Sequence, residues 1–435
     1  MRILLVNPPN AGRSIPEEAY GVTSIKQIFR GEPFSLEVIA GALPGHDLMI
    51  LDLKCEPEEA LWDAIADFRP RVIGFTAVTC EANTVLRFSR RIKAETGCVI
   101  VVGGNHATCD PSYFNWSEID YVVIGLGKKS FGDLIGRLQK GDDGAGIPGI
   151  ARVTAGSALS WSTRAYGPDD LMDDCPPRYD LVERYREHYV LEKLGMRMGF
   201  VATAQGCTHA CSFCAIPGMT GGRYLLHSPD AVVRDIRLLE AIPFIRLVDA
   251  NTFGDPAVSR ELCRKIGERG IRKRFIADVR ADTVVRHHEL LREWKEAGLH
   301  AVVVGFEDIQ EQRIGGYNKK YQASIIPRSI ELLHEMGLLI VGDFIVPPDY
   351  TEADFEALER FIAAEGIQVP VLSVLTPIPG TPLHATMKDR IVVHDLDYYT
   401  FTNAVVPTVL PEKVFYEAYS GLVRRLQGGV PPKNT

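Results

Sequence analysis

The sequence predicts two α/β units in one chain. A doubly wound, Rossmann-like unit comes first, then a partial (β/α)6, TIM-like barrel, then a short C-terminal extension. Three observations carry this. The chain has 435 residues, more than one ordinary core holds, so two or three domains are expected. Short β-branched runs alternate with helix-period stretches through the first 140 residues, which implies right-handed crossovers and a parallel sheet covered on both faces. A second such series opens near residue 199 and yields six strands, short of the eight of a full barrel.

Taken in order, residues 2–6 read as a buried first strand without the apolar stretch and cleavage site of a signal peptide. Strands follow at 48–53, 71–77, 99–102 and 121–124. Between them, 57–68 places Leu61, Ile65 and Phe68 on one helical face, and 82–95 and 130–139 are further helices. Ligands of such sheets sit at the carboxyl ends of the strands. The loops there are Asn7-Pro8-Pro9, Thr76 to Cys80, Gly103 to His106 and Gly125-Leu126-Gly127. They are small and Gly-rich and leave room for a broad flat ligand. A dinucleotide site would need Gly-x-Gly-x-x-Gly after the first strand, and Asn7 to Gly12 is not that. The first unit is placed at 1–140. Residues 141–198 form a linker, with a hairpin expected at 150–162.

The barrel unit is placed at 199–385. Its first strand, 200–203, leads into a run holding Cys207, Cys211 and Cys214. Ser228-Pro229-Asp230 is a strong helix start, with Ser at the N-cap and Pro at the first helical position. Later strands are expected at 245–248, 274–278, 301–305, 338–344 and 371–375, with a helix at 351–365. Their carboxyl ends carry Asp249 and Asn251, then Asp278 and Arg280, Gly305 and Glu307, Gly342 and Asp343, and a turn from Thr376 to Pro382. Reacting groups of β/α barrels come from these ends. The extension, 386–435, with a final helix near 412–426, is expected to cap the barrel mouth.

The cysteine spacing is the most informative pattern. A [4Fe–4S] cluster normally takes four thiolates, so three cysteines in one loop leave one iron open for a small molecule. Zinc is the rival. It prefers four ligands in a closed site, usually as two separated pairs, and the one further donor at hand, His209, lies inside the same tight loop. The other six cysteines, Cys55, Cys80, Cys98, Cys109, Cys175 and Cys263, read as small apolar residues rather than a disulfide framework.

A net charge of −8 argues against a general nucleic-acid binder, and 46 % hydrophobic residues with no apolar run of membrane-spanning length describe a soluble, cytoplasmic protein.

The cysteine triplet with Phe213 before its last member resembles the radical S-adenosylmethionine (SAM) superfamily. The order of the N-terminal loops, with Gly31-Glu32-Pro33, resembles the cobalamin-binding domain attached to many of these enzymes. Together they resemble the cobalamin-dependent radical SAM family. The resemblance implies a [4Fe–4S] cluster on Cys207, Cys211 and Cys214 that chelates SAM. It implies SAM contacts from Phe213, Asp249, Asn251, Arg280, Glu307 and Pro379. Cobalamin contacts are implied for Asn7, Pro8, Thr76, Val78, Thr79, Gly103, Gly104, Asn105, His106, Gly125 and Gly127. No Asp-x-His-x-x-Gly is present, so the implied cobalamin is base-off without a histidine beneath the metal, and the loop 78–81 should face that lower side. Lys128 stands where relatives often carry Glu, Asp308 where they carry Ser, and Asp249-Ala250-Asn251 lacks a middle acid.

The implied activity is methyl transfer from SAM, through methylcobalamin, to an unactivated carbon, with a leaning toward a peptide or protein side chain. It would run anaerobically, with an external donor such as flavodoxin or ferredoxin. The alternatives are a non-methylating oxidation, cyclisation or rearrangement, for example of a tetrapyrrole, and a non-enzymatic iron–sulfur protein.

Overall fold

The computed structural model describes residues 1–22, 31–191 and 195–428. Its first sheet has six strands in the order β2-β1-β3-β4-β5-β6: β1 Arg2–Asn7, β2 Asp47–Asp52, β3 Val72–Thr76, β4 Val99–Gly103, β5 Tyr121–Val123 and β6 Ile150–Arg152. All neighbours are parallel except β5 and β6. Alternate residues of β1 go to opposite faces, as the two-residue period of a strand dictates. Ile3 and Leu5 pack with helices Phe34–Gly41 and Gly127–Gln139, while Leu4 and Val6 pack with Glu59–Phe68 and Ala82–Glu95. The chain steps from β1 to β2 on one side and β3 on the other, which makes the carboxyl ends of β1 and β3 the switch point where ligands of open sheets bind.

The second sheet runs β15-β14-β13-β12-β11-β8-β7. Six strands are parallel: β8 Met196–Val201, β11 Phe244–Leu247, β12 Arg274–Val279, β13 Leu299–Glu307, β14 Leu339–Val346 and β15 Val369–Val374. The two-residue strand β7, Val190–Leu191, is antiparallel at the edge. A separate two-stranded ribbon, β9 Ala204–Gly206 with β10 Tyr224–Leu226, brackets the cysteine run. The helix starts follow their sequence signals. The Ser228 hydroxyl accepts from Ala231 N, and Thr351 and Asp354 form a reciprocal capping box.

Two expectations change. The hairpin at 150–162 reduces to one strand, β6, because its partner is β5 of the first sheet rather than its own return. The stretch 141–198 serves both units: it gives β6 to one sheet and β7 to the other, and Tyr185 and Tyr189 are buried in the first core. The extension is likewise shared. Leu396, Tyr399 and Val405 join the first core, while Phe415, Tyr416, Tyr419 and Leu422 of helix Glu412–Gly428 join the barrel's. Hydrogen bonds tie residues 13–15 to the tail: Thr400 Oγ1 and Asn403 Nδ2 both donate to Arg13 O (3.0 and 2.8 Å), Thr402 Oγ1 donates to Ser14 Oγ (2.9 Å), and Ile15 N donates to Asn403 Oδ1 (2.8 Å). Among the described residues no helix is long and apolar enough to cross a membrane.

Candidate active site

β9 ends at Gly206, whose φ of 83° and position 2.0 Å (for an added Cβ) from Arg223 O admit only glycine. The cysteine loop that follows is held from several sides. Asn251 Nδ2 donates to Thr208 Oγ1 (3.0 Å), Asn318 Nδ2 to Ala210 O (2.7 Å), Ser212 N to Tyr317 O (3.1 Å), and Leu383 N to Ser212 O (2.8 Å). Cys207, Cys211 and Cys214 are all partly exposed and none is in a disulfide. Burial pushes the Cys214 thiol up to about 11 and raises that of Cys211 against the pull of Lys319 and Arg280. A bound metal is the natural means of removing those protons. Among the described residues no three His, Cys, Asp or Glu side chains converge as ligands of one ion do.

Of the strand-end groups, Glu307 is the most distinctive. It ends β13 at a register shift against β14, with φ of +66°, unusual for a non-glycine residue. Its Oε1 accepts from Lys319 Nζ (2.7 Å), both are nearly buried, and Gly305 leaves the space the carboxylate fills: an added Cβ would lie 2.4 Å from Oε1. Burial works against the Lys319 charge, yet Glu307 raises its pKa overall. Arg280 donates to Asp282 Oδ1 (2.9 Å) and to Lys319 O, and lies over the Tyr321 ring. Asn251 is buried with an unpartnered Oδ1.

The Asp249 carboxylate accepts from Thr203 N (2.7 Å), Thr203 Oγ1 (2.7 Å) and Ala204 N (2.8 Å), so it braces the chain before the cysteine loop. Pro379 sits in a turn whose next residue, Gly380, packs on the first unit: an added Cβ would lie 2.4 Å from Cys109 O. Phe213 lines the barrel mouth and meets Tyr317 edge-on at 5.6 Å.

The barrel mouth faces the first sheet across a cavity of about 880 Å³. Phe213, Cys214, Glu307 and Asp343 line it from the barrel, and Val78, Thr79 and Asn105 from the first sheet. Tyr399 to Phe401 of the tail complete the wall. Val78, an exposed apolar group, is among the side chains on the sheet side, and none of the described residues lining the cavity is a histidine.

A second, narrower slot of about 240 Å³ runs beside it, lined by Leu5, Thr76, Gly103, Gly104, Gly125 and Gly127 among others. It is mostly apolar and smaller than a typical complete ligand pocket, the size of a subsite. A Cβ on Gly103 would meet only Val123 at 3.4 Å and otherwise fill this slot. Gly104 is demanded by backbone instead: φ is +96° and a Cβ would lie 2.7 Å from Thr76 Oγ1. Glycine cradle, apolar slot and open cavity together fit a large flat corrinoid with an aromatic tail.

Three expected contacts line neither space. Asn7 donates to buried Asp52 (2.7 Å) and ties β1 to β2, and Pro8 is buried. His106 is fully buried, its ring 5.0 and 5.6 Å from those of Tyr113 and Phe114, and burial lowers its pKa to about 4. Both of its ring nitrogens are buried with no protein partner. Sequence reasoning left out Lys54, paired with Glu81 (2.9 Å) at the cavity edge, and Phe401. It also overlooked Arg246, paired with Asp278; Arg246 is the one charge in an apolar strand, a signal that was there to read.

The family model described as "B12 binding domain" matches residues 24–135, and "Radical SAM superfamily" matches 201–362. The hopanoid C-3 methylase of Methylococcus capsulatus is 26 % identical over 90 % of this chain and 75 % of its own. The uncharacterized methyltransferase PH0819 of Pyrococcus horikoshii is 27 % identical over 93 % and 88 %. Among solved structures, TsrM from Kitasatospora setae with cobalamin and a [4Fe–4S] cluster aligns with a TM-score of 0.74 at 20 % identity, covering 99 % of this chain and 91 % of that one.

Proposed function

The chain belongs to the cobalamin-dependent radical SAM family, and from that premise we propose a methyltransferase that moves a methyl group from SAM, by way of cobalamin, to an unactivated carbon of its substrate. One observation carries this reading: residues of the cysteine loop and of the loops at the first sheet's carboxyl end open on the same cavity, Phe213 and Cys214 from one side, Val78 and Asn105 from the other. When bound, the cluster supplies an electron to SAM and cobalamin carries the methyl group; that chemistry belongs to the cofactors. The chain supplies placement. Glu307, backed by Lys319, suits the ammonium or ribose hydroxyls of SAM, and Arg280 suits its carboxylate. Val78 would offer a corrin ring an apolar contact. The tail, bonded to residues 13–15, lines the space with Tyr399, Thr400 and Phe401.

The hopanoid methylase's name and the TsrM complex with tryptophan substrate both concern small molecules. We therefore place a small apolar or aromatic substrate, beside Phe401 and Ile345 in the cavity, ahead of a peptide side chain.

The test needs no substrate. Protein reconstituted anaerobically with iron, sulfide and hydroxocobalamin, reduced and given SAM deuterated in its methyl group, should release 5′-deoxyadenosine and place labelled methyl in the corrinoid fraction. 5′-Deoxyadenosine without corrinoid label would move the reading to non-methylating chemistry. Absence of both would overturn it.

A further inference from the structure

The narrow slot beside the cavity is not walled by the first unit alone. Gln205, Met219, His227 and Val248 of the barrel unit close its far side. Among the polar side chains that line it, one has a fully buried polar atom with no protein partner: Nε2 of His227. An unpaired buried acceptor or donor of this kind is unusual and destabilising when nothing meets it.

The rest of the ring is tightly specified. His227 lies between β10 and the helix Pro229–Leu238, and its backbone N donates to Thr203 O (2.9 Å). Its Nδ1 is 2.6 Å from Asp173 Oδ1, and Ser228 N donates to the other carboxylate oxygen (2.7 Å). Burial works to raise the Asp173 pKa, but the bonds from His227 and Ser228 hold it down to about 2, so the group is an anion at neutral pH. A carboxylate at that distance accepts Nδ1–H, which in the uncharged tautomer leaves Nε2 as an acceptor. A buried acceptor suits a hydroxyl group and repels a phosphate.

We propose that the His227–Asp173 pair is the barrel unit's contribution to corrinoid recognition: the apolar slot takes the aromatic base of the nucleotide tail, and Nε2 accepts a hydrogen bond from a hydroxyl of that tail. This rests on the cobalamin reading above and adds a selectivity element to it. The slot's first-unit wall discriminates by shape; His227 discriminates by a single polar contact supplied from the other unit.

Hydroxocobalamin and cobinamide, which keeps the corrin ring but lacks the nucleotide, separate the two. Equilibrium binding to cluster-reconstituted full-length protein should favour cobalamin. His227→Ala should weaken cobalamin by about three- to tenfold, one hydrogen bond's worth, and leave cobinamide unchanged. His227→Gln, which keeps an acceptor, should retain most of the preference, and Asp173→Asn should fall between. Unchanged cobinamide binding also reports that the variants are folded. Equal weakening of both ligands, or of neither, overturns the assignment. Wild-type protein that binds neither corrinoid would overturn the cobalamin reading itself.

Discussion

The carboxyl ends of the two sheets meet across one cavity yet are built from opposite materials. In the barrel they are charged and paired: Glu307 with Lys319, Asp278 with Arg246, Arg280 with Asp282. In the first sheet they are small: Gly103, Gly104, Gly125 and Gly127, with Thr76 between. Buried ion pairs are fixed, directional and expensive to desolvate, so the barrel end is organised before a ligand arrives and suits a zwitterion such as SAM. Glycine-lined strand ends provide room instead, and suit a rigid ligand whose own shape supplies the order. The same βα architecture thus recognises by charge on one side and by space on the other.

The largest break in this comparison comes from the cysteines. Joint replacement of Cys207, Cys211 and Cys214 by Ala should remove all cluster iron and sulfide and with it 5′-deoxyadenosine formation, while corrinoid binding persists. Retention of about four irons per chain in that variant would refute the cluster assignment.

A smaller change acts on the other side. Gly103→Leu should fill the slot, since the backbone there accepts a side chain, and should weaken hydroxocobalamin binding at least tenfold, the loss expected from excluding part of a well-packed ligand. Reductive SAM cleavage should be kept. Gly104 would be a poorer choice, because any side chain there strains the backbone whether or not a corrinoid binds. Normal cobalamin affinity in Gly103→Leu would show that the first sheet does not recognise by space.

The smallest effect sharpens the seam between the units. Glu32, which accepts from Arg186 and from Phe200 N of β8, is pushed up to about 7, chiefly by burial. Neighbouring Glu37 is raised well above the carboxylate range by burial and then by Glu32. The folded state therefore holds a proton that the unfolded chain releases at ordinary carboxylate pH. That stabilisation is present below roughly pH 4.5 and is lost as the pH rises through about 7. Glu37→Gln, which can donate to Glu32 without titrating, should reduce the fall in Tm between pH 5 and pH 8 by a few degrees. An identical fall in both proteins would rule out a contribution from Glu37.

Most of the architecture was readable because both units repeat one pattern, strand then amphipathic helix, and because the cysteine triplet is confined to one loop. What escaped reading depended on partners distant in sequence. Asp249 carries the right chemistry for a ligand, and it also accepts from Thr203 and Ala204. His106 follows the Gly-Gly turn, where a ligand contact is expected, but the short helix Asn105–Cys109 turns its ring into the core. The strand β6 looked like half a hairpin because periodicity reports which residues face a core, not which strand lies alongside.

The shared tail has a mechanical consequence. The chain crosses the seam in the connecting stretch 141–198 and again in the tail, whose residues 400–403 are bonded to residues 13–15. Two bodies joined by one strap can open like the covers of a book; joined at two places, they can turn only about the line between them. The Gly380 turn, seated against the Cys109 backbone, is a third point that resists even that rotation. A ligand as broad as a corrinoid would then exchange by local loosening of a loop rather than by hinging.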